Sequence, residues 1–280
     1  PASSIKPAIA MYGIEEGLID WNFSIFDEGF FTLPEDGRIY RDWKEGGHGD
    51  TNLFKAITQS SNTYFFDLAY RSDINQLNKH LSSLGFGDKA CIDCFEEDQV
   101  FVPEPSWKMN KHNFGWFKGD TVNMGVGQGY LVSTPIQLAK YAYIMANKGK
   151  FSDLSLKKDL VKSEKSIEFN KFSNDDWFKL HESMVNVIEG NTGTARRLRE
   201  KKNYIVAAKT GTAELVSGDN REQYSETRLD DSLRDHALII AFGPMPNPRY
   251  AVSVVVENGE SGGSVAGPVA ISVLNSLIQE

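Results

Sequence analysis

The sequence predicts an α+β domain, mainly helical in its first part and carrying an antiparallel sheet in its last third. Three observations carry that prediction. Apolar residues recur at helical spacing through the first two hundred positions, short β-branched runs replace them after Ala195, and a helical segment follows the last run. With 280 residues, of which 40% are hydrophobic and 24% charged, the chain can bury the core of one large domain or two coupled ones.

In chain order, the first predicted helix starts at Ser3, with Pro7 in its first turn, where a missing N–H costs little. Leu53, Ile57, Tyr64, Phe65, Leu68 and Ala69 suit two helices flanking a turn at 60–62. Residues 135–148 read as a helix with Ile136, Leu138, Ala139, Ala142 and Ile144 on a broad apolar face. Residues 176–188, with Trp177, Leu180, Met184 and Val187, read as another, and aromatic- and glycine-rich loops at 113–119 and 125–129 lie between the helices. Strands are predicted at 204–208, 236–242 and 250–256. The last two are joined by Pro244-Met-Pro-Asn-Pro248, too long for a two-residue turn. A helix over 264–277 is expected to cover one sheet face, the charged stretch 216–234 to form a long mobile loop, and no internal repeat is visible.

A net charge of −8 with no offsetting basic stripe argues against a nucleic-acid partner. No stretch is long and apolar enough to span a bilayer and no signal peptide is visible, which is not evidence for the cytoplasm. Cys91 and Cys94 are the only cysteines, and no second C-x-x-C or nearby His pair completes a zinc site with them. They read as a local disulfide or two free thiols and are assigned no chemistry.

The chemistry is carried by three short motifs. Lys209-Thr210-Gly211, followed by Thr212, lies at the end of the apolar run 204–208. A cation, two hydroxyls and a glycine there make a place to hold a carboxylate, and the glycine lets a ligand backbone lie against the strand. Upstream stand Ser3-Ser4-Ile5-Lys6 and Ser60-Ser61-Asn62. Ser3 and Lys6, three apart, share a helix face. A serine hydroxyl becomes a good nucleophile only when a base takes its proton, and Lys6 is such a base only if desolvation or a neighbouring cation keeps it neutral. Each residue has a plainer use: Ser3 as a helix cap, Lys6 and Lys209 as solvated lysines, Ser60 and Asn62 as turn formers, Gly211 as a bulge. S-x-x-K alone is weak, since Ser155-Leu156-Lys157-Lys158 repeats it. The ordered set requires three coincidences to be meaningless, so the catalytic reading is taken.

The ordered motifs resemble those of the penicillin-recognising serine acyltransferases, the penicillin-binding proteins and serine β-lactamases. Further stretches resemble the class B penicillin-binding proteins of the cell-elongation type: Arg41-Asp-Trp-Lys44 with Gly47-His48-Gly49, Gly119 through Tyr130, Thr134-Pro-Ile-Gln137, Leu233-Arg-Asp-His-Ala237 and Gly262-Gly-Ser-Val-Ala266. The resemblance covers nearly the whole chain. It implies one transpeptidase domain over residues 1–280, with a mainly helical part at 7–194 and a sheet part at 195–280. It also implies D,D-transpeptidation of peptidoglycan stem peptides, with Ser3 as nucleophile, Lys6 as base, Ser60 as proton relay and Asn62 bonding the substrate amide. Lys209, Thr210 and Thr212 would grip the terminal carboxylate, Gly211 would let the ligand backbone lie against the strand, and the backbone N–H groups of Ser3 and Thr212 would receive the oxyanion. β-Lactam antibiotics would acylate Ser3.

In the family, a pedestal, a membrane anchor, and a helix and strands of the same sheet precede the serine motif. A chain opening two residues before its nucleophile is therefore read as an excised piece of a protein on the periplasmic face of the inner membrane. Its expected partners are stem peptides, β-lactams and, through the parts outside this chain, membrane proteins of the elongation machinery. Some relatives hold zinc through two aspartates, a histidine and a cysteine, matching Asp27, Asp42, His48 and Ser61 here. Serine replaces a thiolate poorly, so no metal or other cofactor is expected, and His48 is read as a hydrogen-bonded structural histidine. A three-ligand zinc site closed by water is the alternative. The rival functions are a serine β-lactamase, a non-enzymatic β-lactam sensor and a degenerate scaffold.

Overall fold

The elements of the chain follow from where its sequence places caps and apolar stripes. The structure, a computed structural model, describes residues 1–98, 100–158, 163–215 and 231–278. A 3₁₀ turn, Ala2–Ile5, runs directly into helix α1, Lys6–Glu15, which is buried on nearly every side and so sits as a central core helix. Helices α2, Leu53–Gln59, and α3, Asn62–Arg71, are separated only by Ser60 and Ser61. Asp73 caps α4, Ile74–Ser83, through the amides of Asn75 and Gln76. Helices α5, Pro105–His112, and α6, Lys118–Met124, lead to α7, Pro135–Ala146, and α8, Asn174–Glu189. The last two start with capping boxes, Thr134 with Gln137 and Ser173 with Asp176.

A feature the sequence pattern does not announce is a pair of small antiparallel ladders between α1 and α2. Strand β1, Ser24–Asp27, pairs with β4, Gly49–Asn52, and β2, Phe30–Thr32, pairs with β3, Ile39–Arg41. These strands are short and mostly exposed, so they show no clean alternation. Two-residue strands β5, Lys150–Phe151, and β6, Lys165–Ser166, form a further ladder.

The main sheet is antiparallel in the order β7 (Ala207–Ala213), β8 (His236–Gly243), β9 (Tyr250–Val256). Leu238, Ile240 and Phe242 of β8 join the larger core on the α1 side, while Ala237, Ile239 and Ala241 join a second core with Ile188, Ala270 and Leu274. Burial on both faces is why this run reads as continuously apolar rather than alternating. Helix α9, Gly267–Ile278, packs on the second face after a π turn, Gly262–Ala266.

Several boundaries differ from the sequence reading, the first being that α1 begins at Lys6 rather than at Ser3, which lies in the tighter 3₁₀ turn ahead of it. The first sheet strand begins at Ala207, not 204, so Lys209-Thr210-Gly211 lies inside the strand rather than at its end. The closing helix begins three residues later than expected, because Gly262 and Gly263 let the π turn pack against backbone: an added Cβ would lie 2.3 Å from Leu238 O and 2.5 Å from Thr194 O respectively. Cys91 and Cys94 form a disulfide, one of the two states left open by the sequence. The expected loop at 216–234 lies outside the described residues except for its end, where Asp231–Leu233 form a 3₁₀ turn.

Candidate active site

The site is built where three elements meet, one bearing each motif. Ser3 lies in the 3₁₀ turn ahead of α1, half-buried, and the Lys6 amide closes that turn on the Ser3 carbonyl. Side chains three apart in such a turn eclipse one another, which puts Ser3 and Lys6 on one side. Ala2, just before the serine, has φ +50°, a left-handed conformation costly for a residue with a Cβ. Its amide donates to Gly127 O at 2.9 Å. Gly127 itself has φ +73°, and a Cβ there would fall 2.2 Å from Ala2 O. The glycine-rich stretch at 125–129 thus supports the serine turn from behind.

Ser60 ends α2 in the left-handed region (φ 59°, ψ 38°) and Ser61 caps α3 by accepting from Tyr64 N. This abrupt junction, with Ser60 only 5% and Ser61 0% exposed, holds the motif as a corner rather than a loop. Strand β7, at the edge of its sheet, supplies Lys209, Thr210, Gly211 and Thr212. A Cβ on Gly211 would meet Pro1 O, Ser4 N and Leu238 Cβ, each at 3.3 Å. The chain's own serine turn therefore lies close against this glycine.

The side chains converge. Lys6 Nζ donates to Asn62 Oδ1 at 2.6 Å and to Ser60 O at 2.8 Å, and lies 3.3 Å from Ser60 Oγ. Lys209 Nζ donates to the same Ser60 Oγ at 2.8 Å and to Thr210 O at 3.0 Å. Both lysines are 0% exposed, and these hydrogen-bond partners are all neutral. Burial lowers the Lys6 amine to about 7, against the pull of the Asp42 and Asp27 carboxylates. Burial, and then the charge of Lys6, hold Lys209 well below the usual lysine range. Such a pair can move a proton between its members through the hydroxyl they share.

Two supports escaped the sequence reading. Thr194 Oγ1 meets Thr210 Oγ1 at 2.7 Å, and Gln128 Nε2 donates to Thr212 O at 3.0 Å. Gln128 lies within the quoted glycine-rich stretch, so its neighbourhood was flagged; nothing in the sequence around Thr194 marks it. The structure also gathers the four zinc-matching positions. Asp27, Asp42 and His48 place one ligand atom each within 4.8 Å of one another, and Ser61 Oγ donates to Asp27 Oδ2 at 2.6 Å.

Known proteins repeat this architecture. The family model described as the penicillin binding protein transpeptidase domain matches residues 1–275. Peptidoglycan D,D-transpeptidase MrdA of Haemophilus influenzae is 37% identical over 288 residues, a match covering 100% of this chain and 44% of that protein. The chain therefore spans less than half the length of this relative. A crystal structure of Pseudomonas aeruginosa PBP2 in complex with WCK 5153 superposes with a TM-score of 0.89 at 35% identity, covering all of this chain and 61% of that one. PBP2 of Helicobacter pylori, solved in complex with MreC, gives 0.88 at 30% identity, over all of this chain and 49% of its own. With a family match running from the first residue through the last strand and most of α9, the chain belongs to the penicillin-binding protein transpeptidase domains, and the three relatives just described carry the names MrdA and PBP2.

Proposed function

We propose that this chain is the catalytic domain of a peptidoglycan D,D-transpeptidase of the cell-elongation type, working through a serine acyl-enzyme. The observation that carries the reading is the convergence of two fully buried amines, Lys6 and Lys209, on the Ser60 hydroxyl. Buried lysines without a carboxylate on the amine are costly and are retained where an amine must change protonation.

Ser3 Oγ attacks the penultimate D-Ala carbonyl of a stem peptide while neutral Lys6 takes its proton. The backbone N–H groups of Ser3 and Thr212 receive the developing oxyanion. The proton then passes through Ser60 to the departing D-Ala nitrogen as the peptide bond breaks. An amine from a neighbouring stem attacks the acyl-enzyme, gives up its proton by the same route, and releases Ser3 with its hydroxyl restored. Asn62 bonds the substrate amide. Thr210, Gly211 and Thr212, on the sheet edge, receive the terminal carboxylate and backbone, with the Lys209 amine beneath them. A β-lactam opens on Ser3 and leaves no departing group, so the acyl-enzyme persists.

Residues 7–194 act as the helical part of the domain and 195–280 as its sheet part. For the whole protein we place this domain on the periplasmic face of the inner membrane, with an anchor and partners of the elongation machinery reached through other segments. The pairing of Helicobacter pylori PBP2 with MreC supports that assignment.

Intact-protein mass spectrometry after brief exposure to benzylpenicillin tests the reading. A persistent single adduct on Ser3 is expected. An adduct lost within minutes with drug hydrolysis would make this a β-lactamase, and no adduct on a folded protein would sink the reading. Crosslinking of stem-peptide donors separates the enzyme from a sensor.

A further inference from the structure

The segment Arg41-Asp-Trp-Lys44 with Gly47-His48-Gly49, together with Asp27, grips the Ser60–Asn62 corner: Trp43 holds Ser60, Asp27 holds Ser61 and Asp42 holds Asn62. Trp43 Nε1 donates to Ser60 O at 3.1 Å, the carbonyl that also receives Lys6. Asp42 Oδ2 accepts from Asn62 N at 2.6 Å, Thr63 N at 2.9 Å and Thr63 Oγ1 at 3.3 Å. His48 Nδ1 meets Gln59 Oε1 at 2.8 Å, and its Nε2 faces Asp42 Oδ1 at 3.3 Å. From the neighbouring strand, Asp27 Oδ2 accepts from Ser61 Oγ, and Asp27 Oδ1 from Gly29 N at 2.8 Å. The side chains of His48 and Asp42 are 1% and 0% exposed, and Asp27 and Ser61 are 0% exposed.

These are the positions that, by resemblance, hold zinc in some relatives, and the donor set here does not fit that ion. A closed tetrahedral site takes four ligands, with cysteine bound as thiolate. The fourth corner here is a hydroxyl whose proton is committed to Asp27 and which also accepts from Tyr64 N at 3.2 Å. Every carboxylate oxygen of the cluster already receives a protein hydrogen-bond donor or faces His48 Nε2.

We propose that the Asp27–Asp42–His48–Ser61 cluster is a metal-free, hydrogen-bonded clamp that positions Ser60 and Asn62 for proton transfer and substrate binding. The positioning half rests on the function proposed above; the metal-free half stands by itself. The clamp uses the proton of Ser61 where a metal ion would otherwise join the corner to the arm, and Asp42 couples that arm to the two amides that open α3.

The experiment has two readouts. The protein is incubated with zinc and desalted, its metal content is measured, and its thermal midpoint is recorded with and without chelator. Less than about 0.1 zinc per chain and no chelator shift are expected for the wild type. Ser61→Cys, which restores a thiolate to the fourth corner, is expected to retain about one zinc per chain and to become chelator-sensitive. Stoichiometric zinc on the wild type, or a cysteine variant that folds and binds none, overturns the metal-free clamp. Benzylpenicillin acylation is then resolved into drug affinity and the chemical rate constant. Asp42→Asn should lower the rate constant about 10- to 100-fold with little change in affinity. Arg71→Met, at the far end of α3, should leave the rate within about twofold even where it costs comparable stability. If Asp42→Asn does not fold, Trp43→Phe carries the same test with a loss of about fivefold. Equal slowing by Arg71→Met, or no slowing by the folded clamp variants, overturns the positioning role. Failure of the wild type to acylate at all would instead strike the proposed function and leave the metal result standing.

Discussion

The two walls around the paired lysines are held in different ways. The sheet wall, β7 with Lys209, Thr210 and Gly211, is held by strand register: seven residue pairs with β8 fix it, and glycines at 211 and 262 let neighbouring backbone press directly on it. The helix-junction wall, Ser60 to Asn62, has no ladder. It is fixed by side-chain hydrogen bonds from an arm of short strands more than ten residues away in sequence. A ladder distributes its cost over many bonds, whereas a corner held by a few buried polar groups depends on each of them. The sheet wall should therefore respond to added volume and the corner to lost hydrogen bonds.

The largest effect tests the nucleophile that both walls serve. Ser3→Ala should remove covalent penicillin labelling, a loss of at least about a thousandfold, with circular dichroism unchanged. Undiminished labelling would mean that another residue is acylated. On the sheet wall, Lys209→Ala should slow acylation about 100-fold in stopped flow, while Lys158→Ala, exposed and remote from the motifs, should stay within about twofold. Equal effects would remove Lys209 from the reaction.

The pH profile probes the pair. With Lys6 lowered from 10.5 to about 7, its amine is protonated below that pH, so acylation should fall about tenfold for each unit of pH below about 7 and level off above it. The stability sign is opposite to that of a salt-bridged lysine. Between about 7 and 10.5 the unfolded chain holds the proton that folded Lys6 has released, so the contribution of Lys6 to stability improves as pH rises through that window. A rate independent of pH between 5.5 and 8 would rule out Lys6 as the base.

The smallest effect sharpens the difference between the walls. Gly262→Ala, whose Cβ would lie 2.3 Å from Leu238 O, should cost about 2 kcal/mol in denaturant unfolding while the penicillin adduct still forms. Wild-type stability for that variant would show that the sheet wall tolerates volume as well as the corner does.

Much of the site was legible before any coordinates. Lys6, Ser60, Asn62 and Lys209 were marked because each motif is local: a few adjacent residues on one element carry the chemistry. The helices α2, α3, α7 and α8 were legible for the same reason, since their apolar spacing lies within one stretch of chain. The arm was not. β1 to β4 are short and largely exposed, and the value of Trp43 lies in one bond to a residue 17 positions away.

The sequence by itself determined the α+β class, the order of the three motifs and the residue types able to carry acyl transfer, because periodicity and motif spacing are properties of the chain taken a few residues at a time. Only the tertiary structure decided that two lysines 203 positions apart would share one hydroxyl, that Gly211 makes room for the serine turn, and that Asp42 would close on the amides of Asn62 and Thr63. Those outcomes depend on desolvation and on donors meeting acceptors across elements. Both are set by the packing of the whole core and have no signature in any single segment.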